Sequence, residues 1–360
     1  LRTVRTSPLP VVSRRGFPVE TLDRACRLPV DSRRRSGGSR GEVAGRRPCH
    51  DGVVIVVAGE ALVDRVSAPD GSVSDALGGA PYNVARALAR LGVDVEFAGA
   101  VSTDALGDEL IARLVADGVG MGHVQRVAAP TTIAFADIDP GGTASYRFEI
   151  DGTAAPQLTR LPVGADVTSL VTGGLALVFP PMVETVVEAT EAVGPGVLVF
   201  VDVNSRPAVV DDRAAYLDAV RRVLGRADVV KVSDEDLDVL APDLDVDVML
   251  GLGASAVVVT AGARGSVIVT PHGRREVPVA PLPGPVVDTI GAGDTFSAAF
   301  VGWWTLAGFG RDHLAGPAAV DRLVDAVRAA GVAAAVTVTR RGCDPPHLAD
   351  LPGPWPPSPT

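Results

Sequence analysis

The sequence predicts an α/β fold, with a mostly parallel central sheet flanked by helices. Three observations carry that expectation. Continuous apolar runs such as Val53–Ala58 and Val197–Val203 read as strands buried on both faces. In the second half such runs alternate with helical periods, an order that gives parallel strands joined by right-handed crossovers. A turn of small residues, Gly291-Ala292-Gly293, opens a helical run from Thr295 to Leu306. With 360 residues and 47% hydrophobic content, the chain can bury one large core with a small appendage.

The first fifty residues hold twelve arginines against four acids, are rich in Ser, Pro and Gly, and have no period. They cannot bury enough apolar surface to fold, so residues 1–50 are expected to be a disordered extension. A transit segment would share the bias. A start site assigned too early would give the same tail, and this is the favoured reading because the regular pattern begins after Gly52. No apolar stretch of secretory type follows the arginines.

Val53–Ala58 is the first buried strand and ends at Gly59. Glu60 and Asp64 lie just past it, where open α/β sheets bind ligands; for Asp64 a solvated loop acid is the alternative. Gly78-Gly79 leads into a helix over Pro81–Leu91, with Val84, Leu88 and Leu91 on one face and Gly92 as its stop. Asn83 sits in its first turn, off the apolar stripe, placed either to satisfy backbone groups or to meet a ligand. Val95–Val101 is the next strand, and a helix follows to Ala116. Thr131–Asp137 and Ser145–Ile150 alternate around the turn Pro140-Gly141-Gly142, the pattern of an exposed hairpin.

Beyond the hairpin, strands are expected at Leu175–Phe179, Val197–Val203 and Asp228–Val232, with helices at Met182–Ala192 and Ala214–Leu224. Arg206 follows a strand end, suited to a phosphate or sugar oxygen or to an ordinary salt bridge. The run from Lys231 to Asp236 contains the sequence's only lysine. Gly251-Leu252-Gly253 is no dinucleotide fingerprint, since the strand Val257–Thr260 follows the glycines where the fingerprint needs it before them. Thr260, Gly262 and Gly265 form a glycine-bearing loop able to meet ribose or phosphate. A small-residue helix spans Val320–Val338, and residues 351–360 are a Pro-rich tail.

The most informative stretch is Asp288-Thr289-Ile290-Gly291-Ala292-Gly293-Asp294-Thr295-Phe296. A small-residue turn opening a helix aims unpaired N–H groups and the positive end of the helix dipole at one spot, an anion hole. Asp294 at its lip suits a base that takes a proton from a hydroxyl while the hole steadies a phosphoryl group. An N-cap aspartate on a glycine turn is the alternative.

This string resembles the signature of ribokinase-like carbohydrate kinases of the phosphofructokinase B type. Gly78-Gly79-Ala80-Pro81-Tyr82-Asn83 resembles the second motif of that family, in its fructokinase branch, and the likeness extends over about residues 53 to 347. It implies a ribokinase-like three-layer α/β/α domain over residues 51–350, with a β lid from about 65–77 and 123–150. It also implies ATP-dependent phosphorylation of a primary sugar hydroxyl, with fructose as the leading acceptor. The alternatives are 2-keto-3-deoxygluconate, ribose or another sugar, or a non-catalytic sugar-binding homologue.

The resemblance makes Asp294 the base and Gly291, Ala292 and Gly293 the anion hole. Asp64, Gly78, Gly79, Asn83 and Arg206 become sugar contacts. Thr260, Gly262, Gly265 and Gly331 fall to the nucleotide, Gly331 standing where many relatives carry a side chain. Ser233 and Asp236 align with a pair that organises water and Mg²⁺, and Lys231 becomes a mobile cation facing the triphosphate. Asp288 is the candidate ligand of a monovalent cation such as K⁺. A homodimer through the lid is a further implication.

Net charge is −10, and the acid excess lies in the body beyond the arginine-rich start. That excludes a basic field for nucleic acid. No apolar run approaches a bilayer span, so no membrane segment is expected. Cys26, Cys49 and Cys343 offer neither a disulfide framework nor a metal spacing, which points to a reducing, cytoplasmic setting.

Overall fold

The computed structural model describes residues 3–4, 54–67, 70–138, 144–161, 163–164, 166–353 and 355. In chain order the first strands and helices are β1 (Thr3–Val4), β2 (Val54–Ala58), β3 (Leu62–Ser67), β4 (Val73–Gly78), α1 (Ala80–Arg90), β5 (Val95–Ala98), β6 (Ala100–Ser102), α2 (Ala105–Asp117), β7 (Gln125–Val127), β8 (Ile133–Ile138) and β9 (Ala144–Glu149). There follow β10 (Val167–Gly173), α3 (Met182–Ala192), β11 (Leu198–Asp202), α4 (Arg213–Leu224), β12 (Val229–Ser233), α5 (Asp234–Leu240), α6 (Val246–Leu252), β13 (Ala256–Thr260), β14 (Ser266–Thr270), β15 (Gly273–Val277), α7 (Ala292–Leu306) and α8 (Ala319–Thr337).

Eight strands form the central sheet in the order β15-β14-β13-β12-β11-β10-β2-β5. The six from β13 to β5 are parallel and the two at the β15 edge are antiparallel. Ile55, Val56, Val57 and Ala58 of β2 have no exposed surface, as its unbroken apolar run requires of a strand covered on both faces. One layer holds α1, α2, α7 and α8, where Phe200 of β11 meets Phe300 and Phe300 stacks on Trp304. The opposite layer holds α3, α4 and α6. Strand order reverses between β2 and β10, which opens a crevice beyond their carboxyl ends.

The smaller sheet has the order β1-β9-β8-β3-β4. Its strand β3 starts four residues after β2 ends, so the smaller sheet departs from the carboxyl end of β2. Of the expected lid segments, Gln125–Val127 lies elsewhere, pairing with β6 in a separate two-stranded sheet. Of the expected extension at 1–50, only Thr3–Val4 falls among the described residues, pairing with β9. The turn at Pro140-Gly141-Gly142 and most of the tail at 351–360 lie outside them.

Two strand assignments need correction. The apolar run expected as a strand at Leu175–Phe179 begins instead with a 3-10 turn over Gly174–Leu177, and the strand is the earlier β10. Thr168, Ser169 and Thr172 dilute the apolar signal of β10, although its burial is nearly complete. Its last residue, Gly173, has to be glycine, because a Cβ there would sit 1.7 Å from the Asp202 carbonyl oxygen. The run Val95–Val101 is two strands broken at Gly99, where a Cβ would strike the Phe97 ring at 2.6 Å. Among the described residues no helix is long and apolar enough to cross a membrane.

Candidate active site

The site grows from the start of α7, which begins at Ala292, three residues before the expected Thr295. Its N-cap is Gly291 in the left-handed region with φ 75° and no capping side chain. Only glycine fits there, since a Cβ would lie 2.2 Å from Cys343 Sγ. Thr295 N–H closes the first turn on Gly291 O at 2.8 Å, while Ala292 N–H turns back to Thr289 O at 3.3 Å. Ala292 is therefore a weaker donor than expected. Gly293 and Asp294 occupy the positions whose amides have no partner inside a helix, and Gly293 is exposed.

Asp294 is joined to the motif of the N-terminal half that was expected to meet the sugar. Asn83 Nδ2 donates to Asp294 Oδ2 at 2.8 Å, because α1 lies alongside α7 with Gly302 pressed against Leu88 and Val93. Burial pushes the Asp294 carboxyl up to about 6, and the charge of Asp202 pushes the same way. The Asn83 bond, Lys231 and Arg206 hold it down. A carboxylate poised there can accept a proton near neutral pH.

Lys231 is not a mobile cation. It stands opposite Asp202 in the β11–β12 register, is 5% exposed, and its Nζ donates to both Asp202 oxygens at 3.0 Å. Ser297 Oγ on α7 donates to Asp202 Oδ2 at 2.7 Å. Burial alone would lower the Lys231 ammonium, but Asp202 and Asp236 more than offset it and the net direction is up. The ammonium lies under the anion hole, 3.2 Å from where a Cβ on Gly293 would be.

On the sugar side, Asp64 in β3 is pushed up to about 6 by burial, with Arg206 opposing. Gly78 leaves it room, since a Cβ there would lie 2.5 Å from Asp64 Oδ2. Gly79, with φ 108°, starts α1. Arg206 is exposed and its Nη1 donates to the carbonyls of Asn204 and Ser205 at 3.2 and 3.0 Å. Its charge bears on Glu60, Asp64 and Asp294 together.

On the nucleotide side, a cavity of about 500 Å³ is lined by Thr260, Gly262, Gly265, Gly331, Ala292 and Gly293 among mostly apolar neighbours. Four of the expected nucleotide residues thus share one cavity with the anion hole. Lys231, Ser233 and Asp236 do not line it. Ser233 and Asp236 form a capping box for α5, and Asp236 also accepts the Ser205 amide at 2.6 Å. Both Asp236 oxygens are occupied by backbone donors, which local spacing could not reveal because Ser205 is distant in sequence. Asp288 accepts Ile290 N–H at 3.1 Å and Gly342 N–H at 2.9 Å. No cluster of three or more His, Cys, Asp or Glu suited to a metal occurs among the described residues.

Residues 54–349 match the pfkB family carbohydrate kinase profile. A fructokinase of Rhizobium leguminosarum bv. trifolii is 34% identical over 68% of this chain and 78% of its own. A crystal structure of fructokinase with bound ATP from Xylella fastidiosa superimposes with a TM-score of 0.73 at 28% identity, covering 83% of this chain and 95% of that one. A fructokinase from Vibrio cholerae O395, in its fructose, ADP and calcium ion bound form, gives 0.70 at 26% identity over 81% and 95%.

Proposed function

The chain belongs to the pfkB family of carbohydrate kinases, and from that premise we propose that it transfers the γ-phosphoryl group of ATP to a primary hydroxyl of fructose. The observation that carries this reading is the Asn83–Asp294 hydrogen bond at 2.8 Å, which brings the sugar motif of the N-terminal half onto the acid at the anion hole. ATP lies in the cavity between the Thr260 loop and α8, with its γ-phosphate at the amides of Gly293 and Asp294. Fructose sits under the smaller sheet, held by Asp64, Asn83 and Arg206. Asp294 accepts the hydroxyl proton as the oxygen bonds to phosphorus, and the bond to the bridging oxygen of ADP breaks in line. Negative charge building on the phosphoryl oxygens meets the helix amides and the Lys231 ammonium below them.

Mg²⁺ would come with the nucleotide, neutralising phosphate charge and keeping most of its waters, so it needs no all-protein cage. That suits the donor set here, where Asp236 can serve only through water. Asp288, whose oxygens each retain a lone pair beyond the backbone N–H they accept, is the proposed ligand of a K⁺ ion beside the hole. Rate unchanged between K⁺ and K⁺-free buffer would count against that assignment. The smaller sheet closes over the sugar and pairs with a second copy.

A second reading, a 2-keto-3-deoxygluconate type acceptor, is favoured by Arg206, whose guanidinium is held by backbone carbonyls and could take a carboxylate. A coupled ADP-release assay over fructose, ribose and 2-keto-3-deoxygluconate decides between them. Turnover on fructose supports the first reading; release with none of the sugars would leave a binding homologue and end the kinase proposal.

A further inference from the structure

We propose that Glu60 is a positioning residue for phosphoryl transfer, its carboxyl replacing the missing N-cap of α1 and thereby holding Asn83 against Asp294; the proposal rests on the kinase reading above. The start of α1 lacks the usual device. Its N-cap is Gly79, which has no side chain, and proline follows within the first turn. The orphan amide of Ala80 is instead accepted by Glu60 Oε1 at 3.1 Å from twenty residues upstream. The Glu60 main chain presses on the same spot, its carbonyl oxygen 2.6 Å from where a Cβ on Gly79 would be. Gly174 clears space on another side, a Cβ there lying 3.0 Å from Oε1. Asn83 then closes the first turn of α1 by donating its N–H to Gly79 O at 2.9 Å, and its side chain reaches Asp294. One carboxyl therefore fixes the helix turn that carries the partner of the base.

Burial favours the neutral acid at Glu60. It is 2% exposed, and its Oε2 is buried without a partner. A charge there would face Arg206 favourably and Asp294 unfavourably. An unbalanced buried carboxylate is costly, and burial pushes Glu60 up to about 8. The amide of glutamine copies both the shape and the neutrality of that acid. The groups that face Asp294 are Asn83, Asp202, Lys231, Arg206, Glu60 and the Cys343 thiol. Of these, Asn83 alone is carried on the turn that Glu60 anchors.

The test compares Glu60→Gln and Glu60→Ala in the full chain, with kcat and KM for sugar and ATP followed from about pH 5 to about pH 9. The titration of Asp294 is read in parallel by ¹³C-carboxylate NMR, its resonance assigned by loss in Asp294→Asn. Glu60→Gln should stay within about twofold of the parent protein. Glu60→Ala should lose about tenfold in kcat, the worth of one hydrogen bond, with KM for ATP unchanged. Its Asp294 midpoint and the acid limb of kcat should both move to higher pH, because the Asn83 bond favours the charged form. Glu60→Ala combined with Asn83→Ala should be no worse than Asn83→Ala alone.

An unmoved Asp294 midpoint in Glu60→Ala, or fully additive losses in the double variant, overturns the proposal. If Glu60→Ala does not fold, Glu60→Asp, one methylene too short to reach Ala80, must show the same upward shift. Should the parent protein phosphorylate no sugar, the kinase reading fails, while the NMR midpoint still tests the link from Glu60 to Asp294.

Discussion

Asp294 carries the sharpest expectation. Asp294→Asn keeps the shape and a partner for Asn83 but removes the proton acceptor, so kcat should fall by about 10²–10⁴ while calorimetry still detects sugar binding. The pH profile adds a second check. With Asp294 raised to about 6 in the free protein, kcat/KM for the sugar should fall roughly tenfold per pH unit below that value and level off above it. Stability runs the other way. Asp64 and Asp294 both have folded values above the ordinary 3.8, so the folded chain holds protons that the unfolded chain releases. Their contribution to stability is complete below 3.8 and disappears as pH rises through about 6. Urea unfolding at pH 4, 5 and 7 should show the decline, and Asp294→Asn should flatten part of it. That Gly291 opens α7 and that Asp294 and Asn83 each stand in a helix's first turn was legible in the sequence, because each sits in a short string whose geometry is local. Glu60 was visible only as an acid near a strand end. Its bond to Ala80 depends on how a strand and a helix meet, which no local pattern encodes.

At the scale of elements, β11, β12 and α7 are joined by the buried group of Asp202, Lys231 and Ser297. Lys231→Met would strand the Asp202 carboxylate and should cost about 3–5 kcal/mol of stability, measurable in urea, together with turnover. Strands with unbroken apolar runs announced themselves, whereas β10 did not, because its three hydroxyl side chains interrupt the apolar signal. Thr172 and Thr168 are accommodated by donating to carbonyls of β2 and its neighbourhood, Ala58 O and Val54 O. The helix α8 offers a cleaner test of the nucleotide cavity. Gly331 lines it, and a Cβ there would lie at ordinary contact distance, 3.6 Å, from Ala280. Gly331→Ala should be nearly silent, while Gly331→Phe should fill the cavity and raise KM for ATP at least about tenfold, the loss of roughly 1.4 kcal/mol of binding, with KM for sugar little changed.

At the scale of the whole molecule, the proposed placement of the two substrates rests on topology. The cavity beside Thr260 and the smaller sheet are built from opposite halves of the chain, and the Asn83–Asp294 bond ties the helix that follows β4 to the helix that lines the cavity. The expected alternation of strands and helices and the hairpin of β8 and β9 could be read from the sequence, whereas Gln125–Val127 could not be kept out of the smaller sheet, because a three-residue strand is too short to show a period. In that sheet β4 is an edge strand whose Val73 is 60% exposed, an apolar spot on an unpaired edge. If a second copy pairs there, Val73→Lys should lower the mass seen by light scattering to that of one chain; an unchanged mass in both proteins would remove the proposed dimer. The buried position of Lys231 has a last, practical outcome. The one side-chain amine in the sequence is locked inside the protein, so acylating labels that colour most proteins at many surface sites would find no lysine on the folded molecule, and reaction there would report that the fold had opened.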